Sequence, residues 1–262
     1  MQIFDRKSFI LHRKRALKNI QSNDYDFLIK IANENIKDRL NDFETRVFDN
    51  ALNIGARYNY FLDLIPKKIN KLITTEFDYI LAKQANLNLV CDDEALPFKE
   101  NSFDLIFSVL NGHFINDLPG FLSQTKKILK PNGLFIFIIF GGRTLEELRE
   151  VFLNFEMNHK SGVSPHIIPM IDIRDMAALM QRANFSKPIV DNFYIDIEYN
   201  NIVKLMHDLR FMGESNCLLK KANYTINKND LPILNEIYHN LHGINGKLKT
   251  TFEIITATGF KE

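Results

Sequence analysis

The run Leu134-Phe135-Ile136-Phe137-Ile138-Ile139-Phe140, framed by Pro131-Asn132-Gly133 and by Gly141-Gly142, decides the fold. It is far shorter than the roughly 20 apolar residues that a membrane helix needs. It shows neither the period of an amphipathic helix nor the alternation of a half-buried strand. A short uninterrupted apolar run bounded by turn residues reads as a strand covered on both faces. Such strands belong to parallel sheets flanked by helices, and this one is expected at the centre of its sheet.

Upstream, Ala51-Leu52-Asn53-Ile54 ends at Gly55, and Lys71 to Glu76 is β-branched and ends on an acid. Asn88-Leu89-Val90-Cys91 runs into Asp92-Asp93, and Phe103 to Val109 is a further strand. Pro119 to Lys130 reads as the helix before the decisive run. Asp24 is expected to cap an earlier helix in which Phe27, Ile31, Ile36 and Leu40 share a face. Downstream, Thr144 should cap a helix from Leu145 to Glu156, Asp172 should start one through Arg182, and Asn200 should cap one through Phe211. Asp230-Leu231-Pro232 opens a last helix, with proline where its missing N–H costs least. Ile189 to Tyr199 alternates as a half-buried strand, and Thr250 to Thr258 is the final one. The pattern is α/β, with a single domain expected over residues 1–262. N-terminal helices are expected over about 1–48 and an inserted cap over about 144–175.

The chain has 262 residues, with 33 Lys and Arg against 32 Asp and Glu and a formal net charge of +1. A chain of this size buries a sufficient core without metal or disulfide. The charge balance excludes a general nucleic-acid binder, which needs a basic excess. Cys91 and Cys217 form no CxxC pair, so neither a disulfide scaffold nor a cysteine zinc site is expected. Met1 to Ile20 is charged throughout, so no signal peptide is expected. A cytoplasmic protein that is not integral to a membrane follows as the expectation.

Ligands of open parallel sheets bind beyond the carboxyl ends of the strands. Here those ends read Gly55, Glu76, Asp92-Asp93, Leu110-Asn111-Gly112-His113 and Gly141-Gly142. A glycine after the first strand lets backbone approach a ligand. An acid ending the second can accept both hydroxyls of a ribose, and an acid after the third can accept an adenine amine. Taken singly, such a glycine is also an ordinary turn residue and such an acid a solvated cap. In this order they form an adenosine-reading set, with Asn111 counted in it. His113 is either a base near the site or a packed histidine at a strand–helix junction. His166 is either a substrate contact or a loop anchor. A two-histidine-one-carboxylate iron site would need both near an acid such as Glu214, and no metal site is expected.

Asp92-Asp93-Glu94-Ala95-Leu96-Pro97-Phe98, Ser102-Phe103-Asp104-Leu105 and Ile128-Leu129-Lys130-Pro131-Asn132-Gly133 resemble landmarks of the class I S-adenosylmethionine-dependent methyltransferase fold. Further segments resemble one branch, the complex I assembly factors and their bacterial relatives. They are Ile3-Phe4-Asp5-Arg6, His113 to Pro119, Phe140-Gly141-Gly142-Arg143-Thr144-Leu145, Ser164-Pro165-His166-Ile167 and Met212-Gly213-Glu214-Ser215-Asn216. A neighbouring branch is the malonyl-carrier-protein O-methyltransferases. The resemblance covers nearly the whole chain. It implies a Rossmann-like fold with a seven-stranded mixed sheet, helices on both faces and a hairpin-like edge from the last two strands. It also implies S-adenosylmethionine as cofactor and a protein substrate, an arginine of a complex I core subunit, which animal members hydroxylate. Gly55 then matches the first glycine of the cofactor loop, Glu76 the ribose acid and Asp92 the adenine-side acid, with Asp93 supplying backbone. The family loop Asp-Leu-Gly-Cys-Gly-x-Gly here reads Asn53-Ile54-Gly55-Ala56-Arg57-Tyr58-Asn59, with bulk at the methionine end. His113, His166 and Glu214 are the candidate catalytic residues, Glu214 facing inward to meet a cation or else capping a helix. The rival expectations are a small-molecule or acyl-carrier-protein O-methyltransferase and a non-enzymatic assembly chaperone with a degenerate site.

Overall fold

The computed structural model describes residues 2–19, 25–43, 45–57, 68–85, 89–160, 162–222 and 224–262, excluding the side chains of Asn19 and Gln84. The expected cap Asp24 and the loop positions Tyr58 and Asn59 lie outside these residues. In chain order the elements begin with α1 (Arg6–Asn19), α2 (Phe27–Asn41), β1 (Ala51–Asn53), β2 (Leu72–Glu76), α3 (Tyr79–Gln84) and β3 (Leu89–Val90). Then come β4 (Phe103–Val109), a short 3₁₀ turn (Gly112–Phe114), α4 (Leu118–Ile128), β5 (Leu129–Phe140), α5 (Glu146–His159) and α6 (Ile173–Arg182). The chain ends with β6 (Ser186–Tyr199), α7 (Ile202–Met212), α8 (Asp230–His242), β7 (Gly243–Ile244) and β8 (Lys247–Phe260). No helix among the described residues is long and apolar enough to cross a membrane.

The chain divides into two compact units. A sheet unit comprises Asp26–Phe140, Ile171–Asn192 and Ile255–Glu262, and a helical unit comprises Met1–Tyr25, Gly141–Met170 and Phe193–Ile254. The expected cap segment is shared, 144–170 falling in the helical unit and 171–175 in the sheet unit.

The strand order is β3-β2-β1-β4-β5-β8-β6, with β7 off this path against β8. Strands β1 and β2, β1 and β4, β2 and β3, and β4 and β5 pair in parallel, while β7 and β8 are antiparallel, so the sheet is mixed. The run that decided the fold is interior and wholly buried from Leu134 to Phe140. It is one place from the middle of that order, which β4 holds, with β8 and β6 beyond it among the described residues. The edge expectation is also corrected. The tight hairpin joins β7 and β8, whereas β8 lies inside the sheet and β6 closes that side.

The core of the sheet unit is aromatic and aliphatic, with Phe121, Phe135, Phe137, Leu52, Ile106 and Ile255 all at 0% exposure. Full burial of one such side chain contributes about 1.5–3 kcal/mol. Helix α2 presents Leu28, Ala32, Ile36 and Leu40, a clean i, i+4 stripe, while Ile31 is exposed. Of the expected face, Ile36 and Leu40 are buried as expected, while in the first two turns the stripe runs through Leu28 and Ala32 in place of Phe27 and Ile31.

Caps follow local hydrogen bonding. Asp117 accepts from Gly120 N at 2.9 Å at the start of α4, and a Cβ on Gly120 would lie 2.2 Å from Asp117 Oδ2. Asp117→Ala is expected to destabilise the fold by about 1 kcal/mol, read by urea denaturation. Asp172 caps α6 as expected. Thr144 does not cap α5, because its hydroxyl is engaged by the backbone of Glu253, accepting from N and donating to O, and Leu145 takes the N-cap place in a left-handed conformation. Asn201, not Asn200, caps α7 through Lys204 N.

In the helical unit α1 packs on α7 and α5 on α8. Phe4 and Leu218 form an antiparallel bridge, with Asp5 N donating to Cys217 O and Leu219 N to Ile3 O. Gly213 ends α7 at φ +80°, and the side chains of Ala16 and Arg13 would lie 3.3 Å from any Cβ there.

Candidate functional site

The ends of β1, β2, β3 and β4 lie in the sheet unit and bring together Gly55, Glu76, Asp92, Asp93 and Asn111. Gly55 turns the chain at φ +67° and its N–H donates to Thr75 Oγ1 at 3.3 Å. A Cβ at Gly55 would sit 2.2 Å from Asn111 Nδ2, so the glycine admits the asparagine side chain as well as the turn. Asn111 is held there by donating to Asp93 Oδ2 at 2.7 Å, with both residues buried. Asp93 is thus a side-chain partner of Asn111, in addition to any backbone role.

Glu76 is 2% exposed at the end of β2. Its Oε1 accepts from Phe77 N at 2.8 Å. Burial pushes its carboxyl up to about 7, outweighing the Phe77 N–H and the nearby Arg57 cation. Asp92 is exposed at the end of β3 and turns the chain by accepting from Glu94 N at 2.9 Å. Arg57, at φ +37°, is buried and donates from Nη2 to Leu110 O at 2.6 Å. His113 is buried between Phe114 and Phe140, with ring centroids at 4.4 and 4.9 Å.

His166 and Glu214 lie in the helical unit. His166 Nε2 meets Glu156 Oε1 at 2.9 Å and Tyr224 OH at 3.1 Å, and its ring stacks on Phe152 at 4.2 Å. The Glu156 carboxylate, at 0% exposure, also takes the Tyr224 hydroxyl at 2.6 Å and Ser164 N at 2.9 Å. Burial pushes that carboxyl up, but these donors outweigh it and hold it below the usual carboxylate range. A cavity of about 360 Å³ opens beside this cluster, between Arg149, Phe152, Pro165 and His166. Asn216 Nδ2 donates to Pro165 O at 2.9 Å, so the loops 164–166 and 213–216 meet. Glu214 N donates to Leu209 O as α7 ends, and its carboxylate acts on His12. Burial lowers the His12 pKa, aided by Arg15 and Lys221 and opposed by Ser215 and Glu214. Among the described residues no three His, Cys, Asp or Glu side chains cluster closely enough to hold a metal.

Glu156 and Tyr224 were not among the sequence candidates. The signal for Glu156 is its phase. Leu148, Val151, Phe152, Phe155 and Glu156 fall on one buried face of α5, and a carboxylate on an apolar face needs partners. Tyr224 carries no such signal. Of the branch-specific segments, 3–6, 164–167 and 212–216 fall in the helical unit, 113–119 falls in the sheet unit with the class I landmarks, and 140–145 runs from one unit into the other.

The family pattern described as a methyltransferase domain matches residues 52–137. The chain is 32% identical to the arginine-hydroxylase NDUFAF5, mitochondrial, of Danio rerio, over 100% of this chain and 83% of that protein. It is 28% identical to malonyl-[acyl-carrier protein] O-methyltransferase 1 of Coxiella burnetii, over 80% of this chain and 73% of that protein. A crystal structure from Bacillus halodurans C-125, reported as a candidate methyltransferase, superposes with a TM-score of 0.58 at 12% identity, covering 91% of this chain and 98% of its own.

Proposed function

Because the chain belongs to the S-adenosylmethionine-dependent methyltransferase family, in the group of the NDUFAF5 arginine hydroxylases, we propose that it binds S-adenosylmethionine at the strand ends of the sheet unit. In this reading it modifies an arginine of a protein partner during assembly of respiratory complex I. The observation that carries the reading is the order of groups across the sheet, with Asp92 after β3, Glu76 ending β2 and Gly55 after β1. Neighbouring strands lie about 4.8 Å apart, so these ends are spaced as an extended adenosyl ligand requires.

The residues fit the adenosine half of the cofactor. Exposed Asp92 accepts the adenine amine and Glu76 accepts the ribose hydroxyls. At Gly55 a side chain would collide with Asn111, so the tight turn depends on glycine. The bound cofactor supplies an activated methyl group on a sulfonium. Within the helical unit the loops 164–166 and 213–216 meet, and a carboxylate such as that of Glu214 has the chemistry to pair with a guanidinium through charge-assisted bonds. Two buried free cysteines support a reducing, cytoplasmic setting. The similarity to the Coxiella enzyme favours methylation of a malonylated carrier protein as the second reading.

Calorimetric titration with S-adenosylmethionine tests the reading. Binding should give heat, and at about 100 times the dissociation constant it should stabilise the fold by about 2.7 kcal/mol. No heat and no melting shift at millimolar cofactor would leave the non-enzymatic chaperone. Mass spectrometry of a complex I core subunit and of a malonylated carrier protein, each incubated with the enzyme, separates oxygen addition from methyl transfer and one substrate from the other.

A further inference from the structure

The loop after β1 departs from its family motif in a consistent electrostatic direction. Asn53 stands where the motif has its leading acid, and Arg57 where it has its second glycine. One change removes negative charge and the other adds positive charge at the same strand end. Asn53 is 1% exposed, and its Oδ1 has no hydrogen-bond partner among the described residues. That leaves a neutral acceptor where an acid would have offered a counter-charge to an ammonium.

Arg57 is not displaced to solvent. It is 6% exposed, its charge acts on Glu76 at the end of β2, and its Nη2 reaches Leu110 O just beyond β4. The guanidinium is therefore held just beyond β4, near enough to the end of β2 for its charge to be felt there, with β1 between the two strands. A ligand with adenine at β3 and ribose at β2 continues in the same direction over β1 and β4. Its amino-acid end arrives at Arg57. There the arginine can exchange a neutral carbonyl acceptor for a carboxylate, which accepts two parallel N–H donors from the guanidinium fork.

We propose that Arg57 is the carboxylate-binding residue of the cofactor site and makes the site selective for adenosyl ligands that keep the α-carboxylate. This rests on the reading of the strand ends as an S-adenosylmethionine site. No covalent step is involved. The role differs from simple crowding, in which Arg57 would only obstruct the ligand.

Three ligands and two variants test it, by calorimetry on the full chain. S-adenosylmethionine carries the carboxylate, decarboxylated S-adenosylmethionine lacks it, and 5′-methylthioadenosine lacks the whole amino-acid end. The wild type should prefer S-adenosylmethionine to the decarboxylated form by about ten- to a hundredfold, the span of charged hydrogen bonds. In Arg57→Gly that ratio should fall to within about threefold, with 5′-methylthioadenosine affinity unchanged. Arg57→Lys should keep part of the ratio, because the charge remains without the fork. A ratio unchanged in Arg57→Gly overturns the proposal while the cofactor reading stands, as does tighter S-adenosylmethionine binding by that variant. A wild type that binds none of the three overturns both. Unchanged 5′-methylthioadenosine binding also reports that the variants are folded.

Discussion

Glu76→Gln is expected to weaken S-adenosylmethionine binding by about ten- to a hundredfold at pH 8 and to flatten its pH dependence. The acid accepts both ribose hydroxyls in the proposed site, and a hydrogen bond to a charged acceptor contributes about 1.5–3 kcal/mol. Burial raises the Glu76 carboxyl to about 7, above its unfolded value near 4.5. The sign follows directly. A group whose folded pKa is raised contributes stability that is full below the unfolded value and is lost as pH rises through the folded one. Wild-type stability should therefore decline between about pH 4.5 and 7, by roughly 3 kcal/mol at most. The neutral amide has no such proton to lose, so Glu76→Gln should equal or exceed the wild type in stability above pH 7. Cofactor affinity runs the other way, because ribose donors favour the ionised carboxylate. Wild-type binding should tighten from pH 6 to 8 while the variant stays level. Equal affinities at pH 8 would reduce Glu76 to a buried structural acid. Urea denaturation and calorimetry across this range read both quantities.

Phe137→Ala should cost about 3–5 kcal/mol, the range for emptying a large aromatic site. Phe137 is at 0% exposure in β5, with ring centroids 5.4 Å from Phe121 and 5.7 Å from Phe135. Its ring also fills the space above Gly112, where a Cβ would lie 2.0 Å from Phe137 Cζ and 2.8 Å from Ile139 Cγ2. Set against the 5–15 kcal/mol that holds most domains, this loss is severe. The Gly112 contact makes the prediction sharper. Gly112→Ala alone overpacks a filled site and should cost about 1–3 kcal/mol. In a Phe137→Ala background much of that cost should disappear, since the nearest obstructing atom is gone. The two changes should be non-additive by about 1 kcal/mol or more in a double-mutant cycle. Strict additivity, or a Phe137→Ala loss below 1 kcal/mol, would contradict the packing described for β5.

What the sequence made legible depended on how locally each feature is determined. Strand β5 was plain because an apolar run covered on both faces needs no neighbour to be recognised. Its early start at Leu129 was hidden by Pro131-Asn132-Gly133, which reads locally as a stop. In α2 the second half of the face, Ile36 and Leu40, was legible, but in the first half Phe27 and Ile31 compete with Leu28 and Ala32, and tertiary packing alone chooses between them. Thr144 has the chemistry of a cap, but β8 engages its hydroxyl first. In the candidate site, Gly55, Glu76 and Asp92 were legible as positions because strand ends are set by the period change. The partnership of Asn111 with Asp93, and the convergence on Glu156 of His166 and Tyr224, arise only when distant segments are buried together. The two units were not legible either, since each is assembled from three separated stretches of chain.

That interleaving bears on how the protein is made. Strand β5 lies between β4 and β8, and β8 enters the sheet unit only with residues 255–260. During synthesis at about 5–20 residues per second, β5 waits on the order of ten seconds for its neighbour. For that interval one edge of the most apolar strand in the chain has no strand to pair with. Unpaired strand edges of this kind recruit other chains. Long sequence separation between paired strands also slows closure, because loop entropy is lost before the contacts are gained. The nascent chain should therefore be a strong client of ribosome-associated chaperones, and refolding from denaturant should lose yield steeply as protein concentration rises.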